Sequence, residues 1–249
     1  MLVLCLGLYA SAQAQDPHAG MQHDQAPPVS HWTVMQDGVV FVMFNDQGSP
    51  RGERELRVPN WWMGMLQKRV HRGTLTISSM LSLDAATVGA EGYSHIFQIG
   101  ETFLGNALID HQHPHDFLMQ LAAIWRQPLA RGVSLTIAGG PVGEPALGPV
   151  AFMHRSSATE NPMSPLGHHT FDSTHIAMGV VTASLDRGPF QLESSVFRGA
   201  EPDENRWDLM DPGPLDSWSM RGWYRPTPDG AFSSRTDTSR SRTRSKRVT

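Results

Sequence analysis

Thr74-Leu-Thr-Ile-Ser-Ser-Met-Leu-Ser-Leu83 alternates in polarity. Thr74, Thr76, Ser78 and Ser82 fall on one side, and Leu75, Ile77, Leu81 and Leu83 on the other, with one break at Ser79-Met80. A period of two is the period of a β-strand with two unlike faces. The run before it, Trp61-Trp-Met-Gly-Met-Leu66, is also strand-like, and Lys68-Arg-Val-His-Arg-Gly73 joins the two. The same layout recurs. Phe117–Arg126 and Val133–Ala138 surround Gln127-Pro-Leu-Ala-Arg-Gly132, and Thr174–Leu185 and Phe190–Phe197 surround Asp186-Arg-Gly-Pro189. Upstream, Thr33–Met35 and Val39–Phe44 flank Gln36-Asp-Gly38, which reads as a hairpin turn. Downstream, Leu215–Arg225 is the first arm of a fifth hairpin before Pro226-Thr-Pro-Asp-Gly230.

The segments between hairpins, 84–116, 140–172 and 198–214, are long and rich in Gly, Pro, His and acidic residues. Short connections at one end and long ones at the other are expected of an outer-membrane barrel. The predicted fold is therefore all-β, an antiparallel up-and-down β-barrel of outer-membrane type, incomplete at its C-terminal end. Phe117/Met119/Leu121/Ala123/Trp125 and Trp218/Met220/Gly222/Tyr224 are the expected outward bands, each ending in an aromatic residue. A soluble β-sandwich shows the same alternation. Phe117, Leu118, Leu121, Ala122 and Trp125 also fit a helical stripe, though strand is the preferred reading.

Composition sets the outer bounds. Hydrophobic content of 39% and charged content of 18% exclude a disordered polyelectrolyte. No stretch after the N-terminus approaches the ~18 apolar residues of a membrane helix. Residues 1–14 (MLVLCLGLYASAQA) read as a secretory signal peptide with small-residue cleavage patterns at Ala10-Ser-Ala12 and Ala12-Gln-Ala14, although no Lys or Arg precedes the apolar run. Cys5, the single cysteine, lies inside it, so the processed chain has no thiolate, disulfide or Cys nucleophile. Residues 15–31 form a flexible His/Pro-rich segment, and 32–229 form the barrel domain. Residues 230–249 are expected to be a disordered basic tail, read as out of frame from near Gly230. They carry Arg235, Arg240, Arg242, Arg244, Lys246 and Arg247 against Asp237. The whole chain has a net charge of −4, so its body is acidic, and no nucleic-acid partner is expected.

Seven of the twelve histidines sit in three clusters: Asp110-His111-Gln-His113-Pro-His115-Asp116, Met153-His154-Arg155, and His168-His169-Thr-Phe-Asp172-Ser-Thr-His175. On an extended segment alternate residues share a face, so His111, His113 and His115 can point together. Imidazoles with flanking carboxylates suit transition metals, and copper or zinc is the expected cofactor. The candidate metal residues are His111, His113, His115, Asp116, His154, His168, His169, Asp172 and His175. The competing reading is a polar loop whose rings bond to backbone. Met21, Met153 and Met163, in loops, could favour Cu(I), with most other methionines as packing residues. Glu201-Pro-Asp203-Glu204 lacks a calcium-loop pattern and reads as a solvated turn. No nucleophile–base–acid constellation stands out, so no catalytic residue is assigned.

Five stretches together are similar to a family of exported bacterial proteins of outer-membrane β-barrel type. They are Pro59–Met65, Asp110–Asp116, Gly143–Arg155, Pro165–His175 and Ser195–Arg206. The resemblance covers residues 32–228 and implies architecture and an outer-membrane location, with lipid as partner, but no reaction. Family members continue with further strands where this chain turns basic. A second resemblance, of Ala107–Asp116 to the His-x-His-x-Asp-His motif of metallo-β-lactamase-like hydrolases, has its last two residues reversed. It implies the alternative of a periplasmic metal-dependent hydrolase using the same histidines. The leading expectation is an outer-membrane barrel whose His/Asp-rich loops bind or pass transition metal ions.

Overall fold

The computed structural model describes residues 2–9, 31–99, 101–149, 151–155, 158–168, 177–200, 202–209, 213–227 and 230–238. Strands dominate. They are β1 (Leu2–Tyr9), β2 (Thr33–Asp46), β3 (Arg54–Arg57), β4 (Asn60–Val70) and β5 (Gly73–Leu81). A short helix α1 (Asp84–Thr87) and four small strands follow: β6 (Tyr93–Ser94), β7 (Glu101–Phe103), β8 (Asn106–Leu108) and β9 (His111–Gln112). The long strands resume with β10 (Leu118–Pro128), β11 (Val133–Gly143), β12 (Ala177–Arg187), β13 (Phe190–Phe197), β14 (Ser217–Thr227) and β15 (Gly230–Thr238).

One sheet holds the long strands in the order β1-β2-β4-β5-β10-β11-β12-β13-β14-β15, every pair antiparallel, with β3 appended to β2. This is an up-and-down sheet of barrel type, and it is open: β1 and β15 end the path and do not pair with each other. Tight turns close one end. Val70 pairs with Gly73 around His71-Arg72, and Arg187 pairs with Phe190 around Gly188-Pro189. Gly188 has φ +56°, the left-handed conformation that the first central residue of such a two-residue turn requires. The long connections all leave from the opposite end.

Strands β12–β14 bury a polar face and expose an apolar one. Along β13, Gln191, Glu193 and Ser195 are buried while Phe190, Leu192 and Val196 are exposed. On β14, Ser217, Ser219 and Arg221 are buried while Trp218, Met220 and Tyr224 face out. On β12, Thr182 and Ser184 point in, and Val181 and Leu185 point out. The register carries each face across the sheet. Thr136, Ser184, Glu193 and Arg221 form one inward row, and Val181, Val196 and Trp218 one outward row. Toward the loop end the interior turns apolar around Met63, Met80, Leu118, Met119, Val142, Phe152 and Met178.

Three expectations change, and the preferred strand reading of 117–125 stands. Gln36-Asp-Gly38 is no turn, because β2 runs unbroken through it. Gly38 is there for close approach: a Cβ would meet the Trp61 carbonyl oxygen at 2.8 Å. Met119 leaves the outward band. The β10 register slips between Leu118 and Gln120, and this bulge turns both Leu118 and Met119 inward. Phe117 also packs against the inner cluster, whereas Leu121 and Trp125 do face out. The helical alternative for 117–125 gives way to strand β10, since its backbone bonds go to β5 and β11. The tail is β15 over Gly230–Thr238, paired with β14 and exposed from Phe232 to Thr238. Edge pairing needs only backbone groups, so Ser, Thr and Arg are tolerated there. Residues 239–249 lie outside the described residues. β1 falls within the segment read as a signal peptide and pairs along β2 from Leu2–Asp46 to Tyr9–Val39. Residues 15–30 lie outside the described residues.

Candidate functional site

The described residues of the connections 47–59, 82–117, 144–168 and 198–209 bond to one another and pack on the apolar interior at the loop end of the sheet as a plug. Its centre is polar and bonded. Asn45 donates from Nδ2 to Glu55 Oε1 at 2.8 Å and to the Ser94 carbonyl at 2.7 Å. The Ser94 N–H donates to the same Glu55 oxygen at 2.6 Å. Gln98 Nε2 and Ser164 Oγ both donate to Gln112 Oε1, at 2.8 and 2.7 Å. Gly167 N–H donates to Gln98 Oε1 at 3.0 Å. The second and third long connections are thereby locked together.

The 110–116 cluster lies in this plug, and its members are pulled apart. Asp110 takes a two-pronged bond from Arg51, at 2.6 and 2.7 Å. His113 Nδ1 donates to the Pro114 carbonyl at 2.6 Å. His115 Nδ1 meets Asp84 Oδ2 at 2.6 Å. Asp116 accepts from Arg206 Nη1 at 3.0 Å. His111 sits on β9 opposite Ser94, and its Nδ1 is buried with no hydrogen-bond partner among the described residues. The strand ends at Gln112 and Pro114 follows, so the alternation that would align the three rings does not extend through them.

His154 ends the short 3-10 turn Phe152–His154, its ring edge-on to Trp61 at 5.2 Å. His168 is buried, edge-on to Phe152 at 5.8 Å. His169, Asp172 and His175 lie outside the described residues. Among the described residues, no three His, Cys, Asp or Glu side chains gather closely enough to hold a metal ion.

Charge in the plug follows from these contacts. The Arg51 bonds, helped by the Phe97 N–H, hold the Asp110 carboxyl below its usual value. Burial pushes the Asp116 carboxyl up, and Arg206 opposes it. Burial pushes the His95 imidazole down. Several partners had no mark in the sequence. Asp84 accepts the Asn60 N–H at 2.7 Å as well as His115, and Arg51 stands 59 residues from Asp110. Arg206 ends the stretch Ser195–Arg206, the one hint of its role in the sequence.

Below the plug, the connection after β11 dips into the interior. Ala146 N–H donates to Ser195 Oγ at 2.7 Å, and Leu147 packs on Ala177, Val180 and Phe197. Arg221 donates to the carbonyls of Leu147 and Gly148 and pairs with Glu193 at 2.7 Å. Trp223 Nε1 donates to the same Glu193 oxygen at 2.8 Å.

Comparison with family models, with curated proteins and with solved structures finds no match.

Proposed function

We propose that the chain is an outer-membrane β-barrel protein whose loop-built plug binds or passes transition metal ions, zinc or copper. The observation that carries the barrel reading is the inverted burial of β12–β14. Leu192 is 51% exposed while its neighbour Glu193 is 2% exposed. Water-soluble monomers rarely present a continuous apolar face of this kind, whereas a bilayer requires it. Length agrees. β4, β10, β11, β12 and β14 have 11 residues each, enough to cross a hydrocarbon core at a tilt of ~45°.

The metal reading is supported by how two rings are held. His113 donates from Nδ1 to a carbonyl, and His115 from Nδ1 to a carboxylate. Metal-ligating histidines are oriented in this way, with the lone pair left on Nε2. His111 adds a buried ring nitrogen that fits a ligand. Each ring would supply one imidazole donor to a divalent ion, with the remaining ligands coming from groups outside the described residues.

Two measurements test the proposal. The purified chain should need detergent or lipid to stay dispersed, so a monomer that remains soluble without either defeats the barrel. Metal analysis should find zinc or copper bound, with less in His113→Ala and His115→Ala. Background metal in the unmodified chain defeats the metal role.

A further inference from the structure

The apolar cluster at the loop end of the interior is built largely of methionine. Met63, Met80, Met119, Met153 and Met178 are five of its nine buried residues, and Met65 packs against it. They arrive from separate elements. Met63 and Met80 are directly opposed on β4 and β5, which places their Cβ atoms about 4.5–5.5 Å apart. The β10 bulge turns Met119 inward beside them. Met178 faces in from β12 opposite Val142, and Met153 comes down from the Phe152–His154 turn. Filling alone is served as well by Leu, Ile or Val, which specify packing better. Methionine is the apolar side chain that also brings a soft donor atom. Imidazole borders the cluster too, since His154 follows Met153 and lies against Trp61, which packs on the cluster.

We propose that this methionine cluster is a binding site for a soft monovalent cation of the Cu(I) or Ag(I) class, held by thioether sulfurs with His154 at its edge. The inference rests on the metal-handling reading of the barrel but uses different residues from the His111–His115 plug. Thioethers do not titrate, so the site keeps its sulfur ligands in acid. A site built on imidazoles loses them as pH falls below about 6.5.

The test uses the full chain in detergent, with Ag(I) as a redox-inert probe, titrated at pH 7.5 and pH 5. One tightly bound Ag(I) per chain is expected at both values. Binding should persist in the triple variant His111→Ala/His113→Ala/His115→Ala and be lost in Met63→Leu/Met80→Leu/Met119→Leu. Leucine conserves volume, so the second variant should keep its fold. Methionine methyl resonances of the unmodified protein give a readout that needs no variant: Ag(I) should shift the buried set. No binding at pH 5, undiminished binding in the methionine variant, or shifts confined to exposed methionines each overturn the proposal. Zinc bound at the plug without Ag(I) at the methionines defeats this inference alone. Ag(I) bound at the methionines without zinc at the plug defeats only the plug's role.

Discussion

A single buried ring shows how pH acts on the plug. Burial pushes the His95 imidazole down, so the folded state holds it neutral more strongly than the unfolded chain does. As pH falls below about 6.5 the unfolded chain takes up this proton first, and stability that was complete above that value is lost. Asp116 works the other way. Its raised carboxyl binds a proton in the fold before it would when unfolded, so acid relieves it. Asp110, held low by Arg51, keeps its contribution until pH falls through the carboxylate range. Between pH 7 and pH 5.5 the His95 effect should dominate. Amide exchange at residues 93–98, corrected for its intrinsic pH dependence, is expected to accelerate on acidification. His95→Gln should flatten the response, and an equally steep response in that variant would show that another group is responsible. At this scale the text marked His111, His113, His115 and Asp116 but not their partners. Asp84, Arg51 and Arg206 are 31, 59 and 90 residues from the groups they hold, and no local spacing reveals such pairs.

Among the elements, β13 was the most legible. Its alternation Phe190/Leu192/Val196 against Gln191/Glu193/Ser195 is visible in the text, and the fold preserves it with strict register to β12 and β14. Polarity alternation alone leaves open which face is buried, and here the polar face is. Leu192→Arg separates the two settings. In the proposed bilayer setting it should cost about 2–4 kcal/mol of folding free energy, read as the denaturant midpoint in lipid vesicles. On an aqueous surface the same change would fall within about 0.5 kcal/mol, and that result would speak for a soluble sheet. β2 and β10 were less legible. Gly38 looked like a turn residue because turn chemistry and close strand approach both favour glycine. Met119 looked outward because a bulge inserts one residue and inverts the parity of what precedes it.

For the whole molecule, the Glu193–Arg221 pair joins the wall to the loop that dips inside. Both side chains are almost completely buried, and Arg221 also holds the Leu147 and Gly148 carbonyls. Arg221→Leu strands a buried carboxylate and should destabilise by about 3–5 kcal/mol in urea unfolding. Glu193→Leu/Arg221→Leu should recover much of that loss, because no isolated charge remains. A double variant no better than the single one would place the cost in the lost loop contacts instead.

The sequence by itself determined strands β4, β5 and β10–β14, the tight turns between their hairpin pairs, the long histidine-bearing connections at the other end and the two-faced character of the wall. Each of these is local, since a period of two and a glycine turn are written within a few residues. Only the tertiary structure decided that the polar face is the buried one, that the wall stays open between β1 and β15, and that five methionines meet beneath the plug. It also decided that the seven-residue histidine cluster spreads its bonds to Arg51, Asp84 and Arg206. Those outcomes depend on which distant strands and loops come into contact, and that is set by packing across the whole sheet.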